Sequence, residues 1–490
     1  MMTRRHHLLT WLFIISLILC SVTNHIFITL PSWSLTEKIS IAQGKSILFE
    51  IKSNHDDYIK SQLLLNSHQS NCLPTKYPPL ETQGNTSQAY RAVIARNLNL
   101  IEETAPDIDH KLNFIINDLS ELQMMEIKSY HNQDCQLTLV NNQVKDLNVS
   151  RVNTAIFNSI ILNEKTAIIA RFPRANQKLK LHWINIDSQT FREKVNQFRR
   201  GLENYGDIIY NPQLAQQLYD WMIRPFADDL ETLEINTLVF IQDGILRSIP
   251  MAALHDGEKF LVEKYAIATT PSLSLTNLQT SKQNKVRALA VGLTQAAIVD
   301  GRRYEALKNV ATEIREVKRQ IPNSKQLLDQ NFTRDRLKSE LRETFYPIIH
   351  IATHGEFGQH PDETFLVTGD NQKLTITELD NIFRNISYIH ESVDLLLLTA
   401  CESAIGSERA ALGLAGVAVQ AGVKTALASL WSINDDATVK LVTRFYEAWC
   451  HSGVTKAEAL RIAQRSLIAN GGQSSHPAYW AAFVLVGNWL

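Results

Sequence analysis

Short apolar runs and amphipathic segments alternate along most of this chain of 490 residues. Seven runs predict strands buried on both faces: residues 237–241, 287–292, 326–328, 348–353, 394–400, 425–431 and 480–486. Apolar residues at three- and four-residue steps predict helices between them: residues 306–320, 333–343, 376–383, 408–421, 435–451 and 456–469. This alternation predicts an α/β fold with a mostly parallel sheet between layers of helices.

The first third of the chain has a different pattern. Strand patterns at 155–162, 166–172 and 178–186 are separated by short polar turns and predict a meander, and helices follow at 190–205 and 212–226. Before them we expect one or two strands within 39–51, a loop or linker over 67–88, and helices at 90–103 and 111–128. We therefore predict three parts: a leader at 1–35, a small mixed α+β accessory region at 36–150, and a main domain at 151–490 with its core at about 285–490.

The leader has the order of charges and apolar residues that targets proteins for export. Arg4 and Arg5 precede an apolar run over residues 8–20, which only Thr10 and Ser16 interrupt. This order predicts a signal peptide. The alternative is a longer signal anchor, since a membrane span needs about 20 apolar residues. We therefore expect a protein exported to, or tethered in, the membrane of a bacterial envelope.

Composition narrows the classes of partner. Lys and Arg number 49 against 50 Asp and Glu, so no general field attracts nucleic acid, and we predict none as a partner. No C-x-x-C or H-E-x-x-H spacing occurs, so we predict neither a metal site nor a cofactor. The sequence does not indicate the oligomeric state.

Five cysteines are too few for a disulfide framework in a chain of this length. Cys72 and Cys135 lie in polar surroundings, and both a disulfide between them and two unpaired thiols are open. Cys450 follows Tyr446 and Trp449 at helical spacing, which favours packing in the core.

Two of the predicted strands end in reactive side chains. The run 348–353 is followed by His354, and the run 394–400 by Cys401. Parallel strands present their carboxyl ends at one edge of a sheet, where open α/β proteins place their sites. An imidazole beside a thiol promotes its conversion to the nucleophilic thiolate. The alternatives are an inert cysteine and a hydrogen-bonded structural histidine, while His350 is either a partner of the site or a residue of the sheet face.

Gly355 follows the histidine and permits close approach of a substrate. The backbone N–H groups of Gly355 and Cys401 are candidates for an oxyanion hole. The 47 residues between His354 and Cys401 leave room for a crossover with a small helix and a hairpin, so the two strands can be neighbours.

The motifs around these residues resemble the CHAT domain family of caspase-like cysteine peptidases, found especially in cyanobacteria. The resemblance rests on five motifs in family order: HIATHGEF ending at Phe357, LTACESA around Cys401, ALGLAGV at 411–417, ALASLWSINDDAT at 426–438 and HPAYWAAFVLVG at 476–487. A sixth, DGILRSIPMAAL at 243–254, is similar to the front of the domain. The match spans about the last three hundred residues.

The resemblance implies a caspase-like three-layer sandwich with a mostly parallel six-stranded sheet and with His354 and Cys401 as the dyad. It also implies that the strand after the cysteine pairs with an extended peptide, so that Ser429 and Trp431 line the substrate cleft. Asp435 is a candidate for a pocket that selects Lys or Arg at P1. The alternative for Asp435 is capping of the helix that begins there.

We therefore expect a cysteine endopeptidase that acts on a protein or peptide. The alternative from another class is a catalytically silent module that binds a partner strand. A small-molecule α/β hydrolase ranks last, because the chain has no G-x-S-x-G elbow. Family members commonly carry long tetratricopeptide arrays, and we found no such repeat here.

Overall fold

The computed structural model describes part of the chain in detail: residues 39–41, 47–49, 80–101, 107–131, 153–173, 179–203, 210–278, 287–358, 363–399, 422–431 and 434–490. The chain forms two compact units, residues 1–78 and 79–490. In the first unit, strands β1 (Ile39–Ile41) and β2 (Ile47–Phe49) pair antiparallel. The leader at 1–35, the cysteines Cys72, Cys135 and Cys401, and the predicted helix 408–421 lie outside the described residues.

The strands of the larger unit are mostly three to six residues long. They are β3 (Thr154–Ile161), β4 (Thr166–Arg171), β5 (Leu179–Ile184), β6 (Thr237–Ile241), β7 (Ala266–Thr269), β8 (Ala288–Gly292), β9 (Ala297–Val299), β10 (Arg302–Tyr304), β11 (Lys325–Leu328), β12 (Ile348–Ala352), β13 (Gly355–Glu356), β14 (Phe365–Val367), β15 (Lys373–Thr375), β16 (Leu395–Leu398), β17 (Thr425–Ser429) and β18 (Phe483–Gly487).

Eleven of these strands form one sheet in the described part of the chain, in the order β11-β8-β12-β16-β17-β18-β7-β6-β3-β4-β5. The first five are parallel, and β18 is antiparallel to β17. Strands β7, β6 and β3 run parallel to β18, so their carboxyl ends lie at the opposite edge from those of β12 and β16. The predicted α/β architecture is confirmed. The segment from residue 285 onward supplies six strands, and the predicted meander extends the same sheet.

The helices cover both faces of the sheet. They are α1 (Leu80–Asn99), α2 (Ile108–His131), α3 (Ser188–Glu203), α4 (Gln213–Met222), α5 (Ala227–Thr232), α6 (Leu261–Lys264), α7 (Val310–Gln320), α8 (Arg334–Glu343), α9 (Ile376–Ile389), α10 (Asp435–Ser452) and α11 (Lys456–Ala469). Several begin at a capping side chain, which explains where they start. Thr375 and Glu378 form a capping box at α9, and Thr455 caps α11.

Strand β12 is apolar at every position except His350, and it shows why the central strands are so apolar. Ile348 and Ala352 pack in the core that includes α7, α10 and α11, whereas Ile349 and Ile351 pack in the core that includes α8 and α9. Successive side chains of a strand point to opposite faces, so a strand between two helical layers has no solvent side. Continuous apolar runs are the consequence.

Helices α1 and α2 belong to the larger unit and pack on its sheet. Arg91 of α1 makes two hydrogen bonds to the carboxylate of Asp243, with N–O distances of 2.8 and 2.5 Å. Asp109 of α2 accepts a hydrogen bond from the backbone N–H of Leu179 at 2.9 Å. None of the helices in the described part of the chain is both long and apolar enough to cross a membrane.

Candidate active site

Strand β12 places His354 two residues beyond its carboxyl end. The hydroxyl of Thr353 donates to the carbonyl of Val367 at 2.6 Å, and the N–H of Val367 donates to the carbonyl of His354 at 2.8 Å. The chain therefore leaves the large sheet at Thr353 and joins the small antiparallel sheet β13-β14-β15. These two hydrogen bonds hold the backbone of His354 at the junction of the two sheets.

The imidazole of His354 has one nitrogen engaged. Its Nε2 lies 2.7 Å from the carbonyl oxygen of Glu305, and the residue is only 6% exposed. A carbonyl oxygen can only accept, so Nε2 carries the proton. The neutral ring then keeps its lone pair on Nδ1, to which no described residue donates a hydrogen bond. His354 is thus set up to take a proton at Nδ1.

Gly355 lies in β13, opposite Leu366 of β14. The N–H of Val367 donates to the carbonyl of His354, so these two residues form the adjacent hydrogen-bonded pair. Hydrogen-bonded and non-hydrogen-bonded pairs alternate in an antiparallel ladder, so Gly355 and Leu366 are a non-hydrogen-bonded pair. The N–H of Gly355 therefore points away from β14. This orientation is compatible with a donor to an oxyanion.

The strand that leads to Cys401 is the direct neighbour of β12, as the sequence predicts. Strands β12 and β16 pair in parallel, from Ile348 with Leu395 to Ile351 with Leu398, and the numbers of paired residues differ by 47 at every position. The N–H of Thr399 still donates to the carbonyl of Ile351 at 3.0 Å. Cys401 itself lies outside the described residues, so its assignment to the dyad stays a prediction.

His350 is buried on the face of β12 that packs against α7 and α10, and its imidazole contacts one residue of each helix. Its Nε2 lies 2.9 Å from Oε1 of Glu313 in α7, and its Nδ1 lies 3.2 Å from the hydroxyl of Tyr446 in α10. Burial, with Cys450 and Glu313 as further causes, raises the pKa of Tyr446 well above its ordinary value. The phenol therefore keeps its proton and can donate to His350. Of the two roles open for His350, these contacts correspond to the residue of the sheet face. Its imidazole connects β12 to α7 and α10.

Strand β17, predicted to pair with a substrate, lies inside the sheet. It pairs with β16 on one side, over Thr425 to Ala428, and with β18 on the other, over Thr425 to Ser429. The N–H of Leu430 also donates to the carbonyl of Ala482 at 2.9 Å. A peptide therefore cannot add to β17 over Thr425 to Ala428, and the expectation of strand addition is wrong for these residues. Pairing of a substrate with residues 429–431 stays a prediction.

Ser429 and Trp431 have little surface for a substrate. They are 4% and 5% exposed, respectively. The indole N–H of Trp431 donates to the carbonyl of Ala478 at 3.2 Å, and the guanidinium of Arg199 lies 5.9 Å from its ring centre. In the described structure Trp431 packs in the core. Its substrate-binding role, like that of Ser429, stays a prediction.

The helix after this strand begins as a capped helix. Asn434 is the N-cap of α10, and its side-chain oxygen accepts from the N–H groups of Asp436 and Ala437 at 3.0 and 3.4 Å. Asp435 is the first helical residue, and its side chain lies outside the described part. The carboxylate of Asp436 accepts from Asn309 at 2.8 Å. Capping thus falls to Asn434, and a pocket role for Asp435 stays a prediction.

Cys450 is a packed thiol of α10. It lies half-buried against the main core, and burial raises its pKa to about 11. A thiol with this pKa is almost wholly protonated at neutral pH and is a poor nucleophile. The predicted packing role is confirmed.

The sequence did not indicate the hairpin β9-β10, which lies beside His354. Its turn, Asp300-Gly301, has φ values of 50° and 79°, as a two-residue hairpin turn requires. Tyr304 of β10 has its ring centre 5.3 Å from that of His354, and Glu305 follows it. The Asp-Gly pair was the available signal, but strands of three residues are too short to show a period. No cluster of metal-ligating side chains occurs among the described residues.

The comparison with protein families identifies the chain. The family model described as the CHAT domain matches residues 212–488. The chain belongs to the CHAT domain family. The matched segment begins at Pro212, directly before α4, and includes β6 to β18, so it contains His354, Cys401 and the central strands of the eleven-stranded sheet.

Solved structures with similarity to the CHAT chain have low sequence identity. The separase–securin complex of Saccharomyces cerevisiae matches at 11% identity and a TM-score of 0.47, over 88% of this chain and 37% of that chain. The Arg-specific cysteine proteinase gingipain R matches at 8% identity and a TM-score of 0.36, over 61% of this chain and 74% of that chain. The complex of the pro- and mature domains of the Porphyromonas gingivalis enzyme matches at 9% identity and a TM-score of 0.34, over 61% of this chain and 76% of that chain. No curated protein matches the chain by sequence.

Proposed function

We propose that this protein is a cysteine endopeptidase that cleaves a protein or peptide, with Cys401 as the nucleophile and His354 as the general base and acid. The observation that carries the proposal is the register of two strands. Paired residues of β12 and β16 differ by 47 in number, and His354 and Cys401 differ by 47 as well. Each residue stands three positions beyond the last pair, Ile351 with Leu398. The backbone leaves the large sheet at Thr353, but the ends of the two strands are neighbours at equal distances in sequence from His354 and Cys401, and this supports a meeting of the imidazole and the thiol there.

The state of the imidazole supports the same assignment. With Nε2 bonded to the Glu305 carbonyl, Nδ1 is the nitrogen that can accept the thiol proton. The thiolate then attacks the scissile carbonyl carbon, and the carbonyl oxygen takes the negative charge, for which the N–H of Gly355 is a candidate donor. The imidazolium returns the proton to the leaving amine, and water hydrolyses the thioester. General acid–base catalysis of this kind contributes about 10²- to 10⁴-fold.

Three variants test the proposal together. Cys401→Ala and His354→Ala should abolish cleavage of a defined peptide pool, read by mass spectrometry. Cys450→Ala is the matched control, because it removes a thiol that burial keeps protonated, and it should leave every cut unchanged. Cuts that persist in Cys401→Ala would sink the proposal. Absence of any wild-type cut, with the same binding of a partner peptide by wild type and Cys401→Ala, would favour the silent binding module.

A basic P1 preference is the finer part of this proposal. Asp435 is the first residue of α10, and a carboxylate in a desolvated cleft selects Lys or Arg through a charge-assisted hydrogen bond. Asp435→Ala should reduce cleavage after Lys and Arg, while Asp436→Ala, which only loses the contact with Asn309, should not. Unchanged selectivity in Asp435→Ala removes the pocket.

We also propose that residues 1–35 direct export or tether the protein to a membrane. The support is the order of Arg4, Arg5 and the apolar run at 8–20. Fractionation of cells that express the full chain, followed by N-terminal sequencing, should find the protein in the envelope or periplasm. A chain found with the soluble cytosolic proteins and with its first residues intact contradicts this part.

A further inference from the structure

The carbonyl that orients His354 lies on a segment that needs support of its own. The side chain of Glu305 is 77% exposed, and among the described residues it pairs with Arg303, which is also at the surface. The backbone of Glu305, by contrast, must stay within hydrogen-bonding distance of Nε2 of His354. The hairpin β9-β10 precedes this residue, so whatever holds β10 also sets the position of the carbonyl.

Glu356 holds β10 through two partners. The hydroxyl of Tyr304 donates to Oε1 of Glu356 at 2.5 Å, and the guanidinium of Arg302 bonds to the same oxygen. Arg302 also lies over the Tyr304 ring, 5.2 Å from its centre. Hydrogen bonds to a charged oxygen are about twice as strong as neutral ones. The carboxylate therefore anchors two of the three residues of β10.

These contacts close a ring of interactions around the imidazole. Glu356 lies two residues after His354 in β13, and Tyr304 directly precedes Glu305. The ring runs from His354 through Gly355 to Glu356, across to Tyr304, and through Glu305 back to Nε2. Packing stiffens it, since Tyr304 is 3% exposed in a small core with Phe365 and Val367.

We propose that Glu356 is a positioning residue of the dyad: through Tyr304 it holds the Glu305 carbonyl against Nε2 of His354 and so keeps the imidazole in one tautomer. With these contacts intact, Nδ1 of His354 carries the lone pair. Without them, the Glu305 carbonyl moves, and the imidazole rotates or exchanges tautomers. The consequence for catalysis rests on the proposed function, whereas the tautomer of His354 does not.

The test measures the tautomer directly. In protein labelled with ¹⁵N-histidine, the signals of His354 are assigned by their loss in His354→Ala. At a pH where the imidazole carries a single proton, wild type should show a protonated Nε2 and an unprotonated Nδ1. Tyr304→Phe, which keeps the packed ring and removes only the hydroxyl, and Glu356→Ala should both show a mixture of tautomers. Glu356→Gln keeps an oxygen that accepts from Tyr304 and should restore most of the wild-type pattern.

The matched control is Glu316→Ala, which removes a carboxylate of α7 whose partner is the exposed Arg319. It should leave the His354 signals unchanged. If Tyr304→Phe and Glu356→Ala, both folded by near-ultraviolet circular dichroism, keep the wild-type tautomer, the proposal is overturned. If neither Glu356 variant folds, Tyr304→Phe alone decides in the same way.

Cleavage rates separate this inference from the proposed function. In an active wild type, Tyr304→Phe should lower kcat by about 10- to 100-fold with little change in KM, because misplacement of a catalytic group acts on the chemical step. An inactive wild type with the expected tautomer removes the peptidase and keeps the positioning role. An active wild type whose variants keep full kcat and one tautomer removes the positioning role alone.

Discussion

The carboxyl ends of β12 and β6 lie at opposite edges of the large sheet. The two ends have the same local sequence arrangement, but the buried side chains that follow them differ in their hydrogen bonding. At one edge β12 ends at Ala352, and Thr353-His354-Gly355 follows. At the other edge β6 ends at Ile241, and Gln242-Asp243-Gly244 follows. In each case an ionisable side chain stands two residues beyond a buried strand and before a glycine, and both side chains are buried, with exposures of 6% and 3%.

The difference lies in how fully each side chain is hydrogen bonded. Asp243 accepts two hydrogen bonds from Arg91 and one from the N–H of Ile161 at 2.8 Å. Glu126 of α2 bridges Arg91 and Arg247 with contacts of 2.5 Å each. His354 has Nε2 engaged and Nδ1 available. Burial alone thus does not mark a reactive group. Its hydrogen bonds make Asp243 structural, whereas no described residue donates to Nδ1 of His354, as the proposed role in the dyad requires.

Helices α1 and α2 close the Asp243 edge, because Arg91 and Glu126 come from them. A cap of this kind makes the helices part of the folded unit. At the His354 edge, the described hydrogen bond to the imidazole goes to a backbone carbonyl and not to a charged side chain.

The comparison predicts the largest loss of stability for Asp243→Ala. The substitution removes the acceptor of two Arg91 hydrogen bonds and of the Ile161 N–H and leaves Arg91 with its contact to Glu126, and breaking a buried ion pair costs about 3–5 kcal/mol. Urea unfolding should show this loss, against a change of at most about 1 kcal/mol for Glu316→Ala, whose pair with Arg319 is partly exposed. A loss below about 1 kcal/mol for Asp243→Ala means that the α1 and α2 cap is not a structural seal.

His354→Ala should behave in the opposite way. It removes one hydrogen bond to the Glu305 carbonyl, which is worth about 1 kcal/mol of unfolding free energy, yet it should abolish cleavage of the peptide pool. Unfolding curves and cleavage assays on the same preparation check both parts. A variant that unfolds as readily as Asp243→Ala would show that His354, too, is chiefly a structural residue.

The pH dependence of stability separates the edges further. Burial acts to raise the pKa of Asp243, but hydrogen bonds and charges from Arg91, with Arg247 and the Ile161 N–H, outweigh it and lower the pKa below its ordinary value. A carboxyl whose pKa is lowered by folding stabilises the protein above its unfolded pKa, and this contribution is lost as the pH falls.

We therefore expect the difference in unfolding free energy between wild type and Asp243→Asn to be constant from about pH 5 to 7 and to shrink below about pH 4. Urea titrations at four pH values measure it. A difference that does not change down to pH 3 would count against an ionised Asp243 in the folded protein.

The smallest effect concerns two cysteines of the larger unit, Cys401 and Cys450. Burial raises the pKa of Cys450 to about 11, so that about one thiol in a thousand is ionised at pH 8. Iodoacetamide should label Cys450 in the native protein at least about 100-fold more slowly than in urea, while Cys401 should react fast if it is paired with His354. Peptide mapping by mass spectrometry reads each site. Equal native rates at the two cysteines would contradict the thiolate assignment of Cys401.

Local patterns were sufficient wherever an element carries its own boundary signals. Helix α11 begins and ends where the sequence predicts, at Lys456–Ala469, because Thr455 caps it and apolar residues recur along one face. Strand β6 is also as predicted, over Thr237–Ile241. The length of chain between β12 and β16 allowed the two strands to be neighbours, and the structure shows that they pair.

The sequence was not sufficient where neighbours come from distant parts of the chain. β17 looked like a strand that could receive a substrate, but β18, which lies more than fifty residues later, occupies that side. An apolar run does not reveal whether both of its edges are paired. The hairpin β9-β10 and the Glu305 carbonyl were missed because a backbone acceptor has no signature in residue types.

By itself, the sequence determined the α/β class, the strands that end in His354 and Cys401, and membership of the CHAT domain family, because apolar periodicity and motif order are local properties of the chain. Only the tertiary structure decided which edges of the sheet are sealed and which nitrogen of His354 is available. Those properties depend on Arg91, on the Glu305 carbonyl and on β18. Their contacts form only when distant segments of the chain pack together.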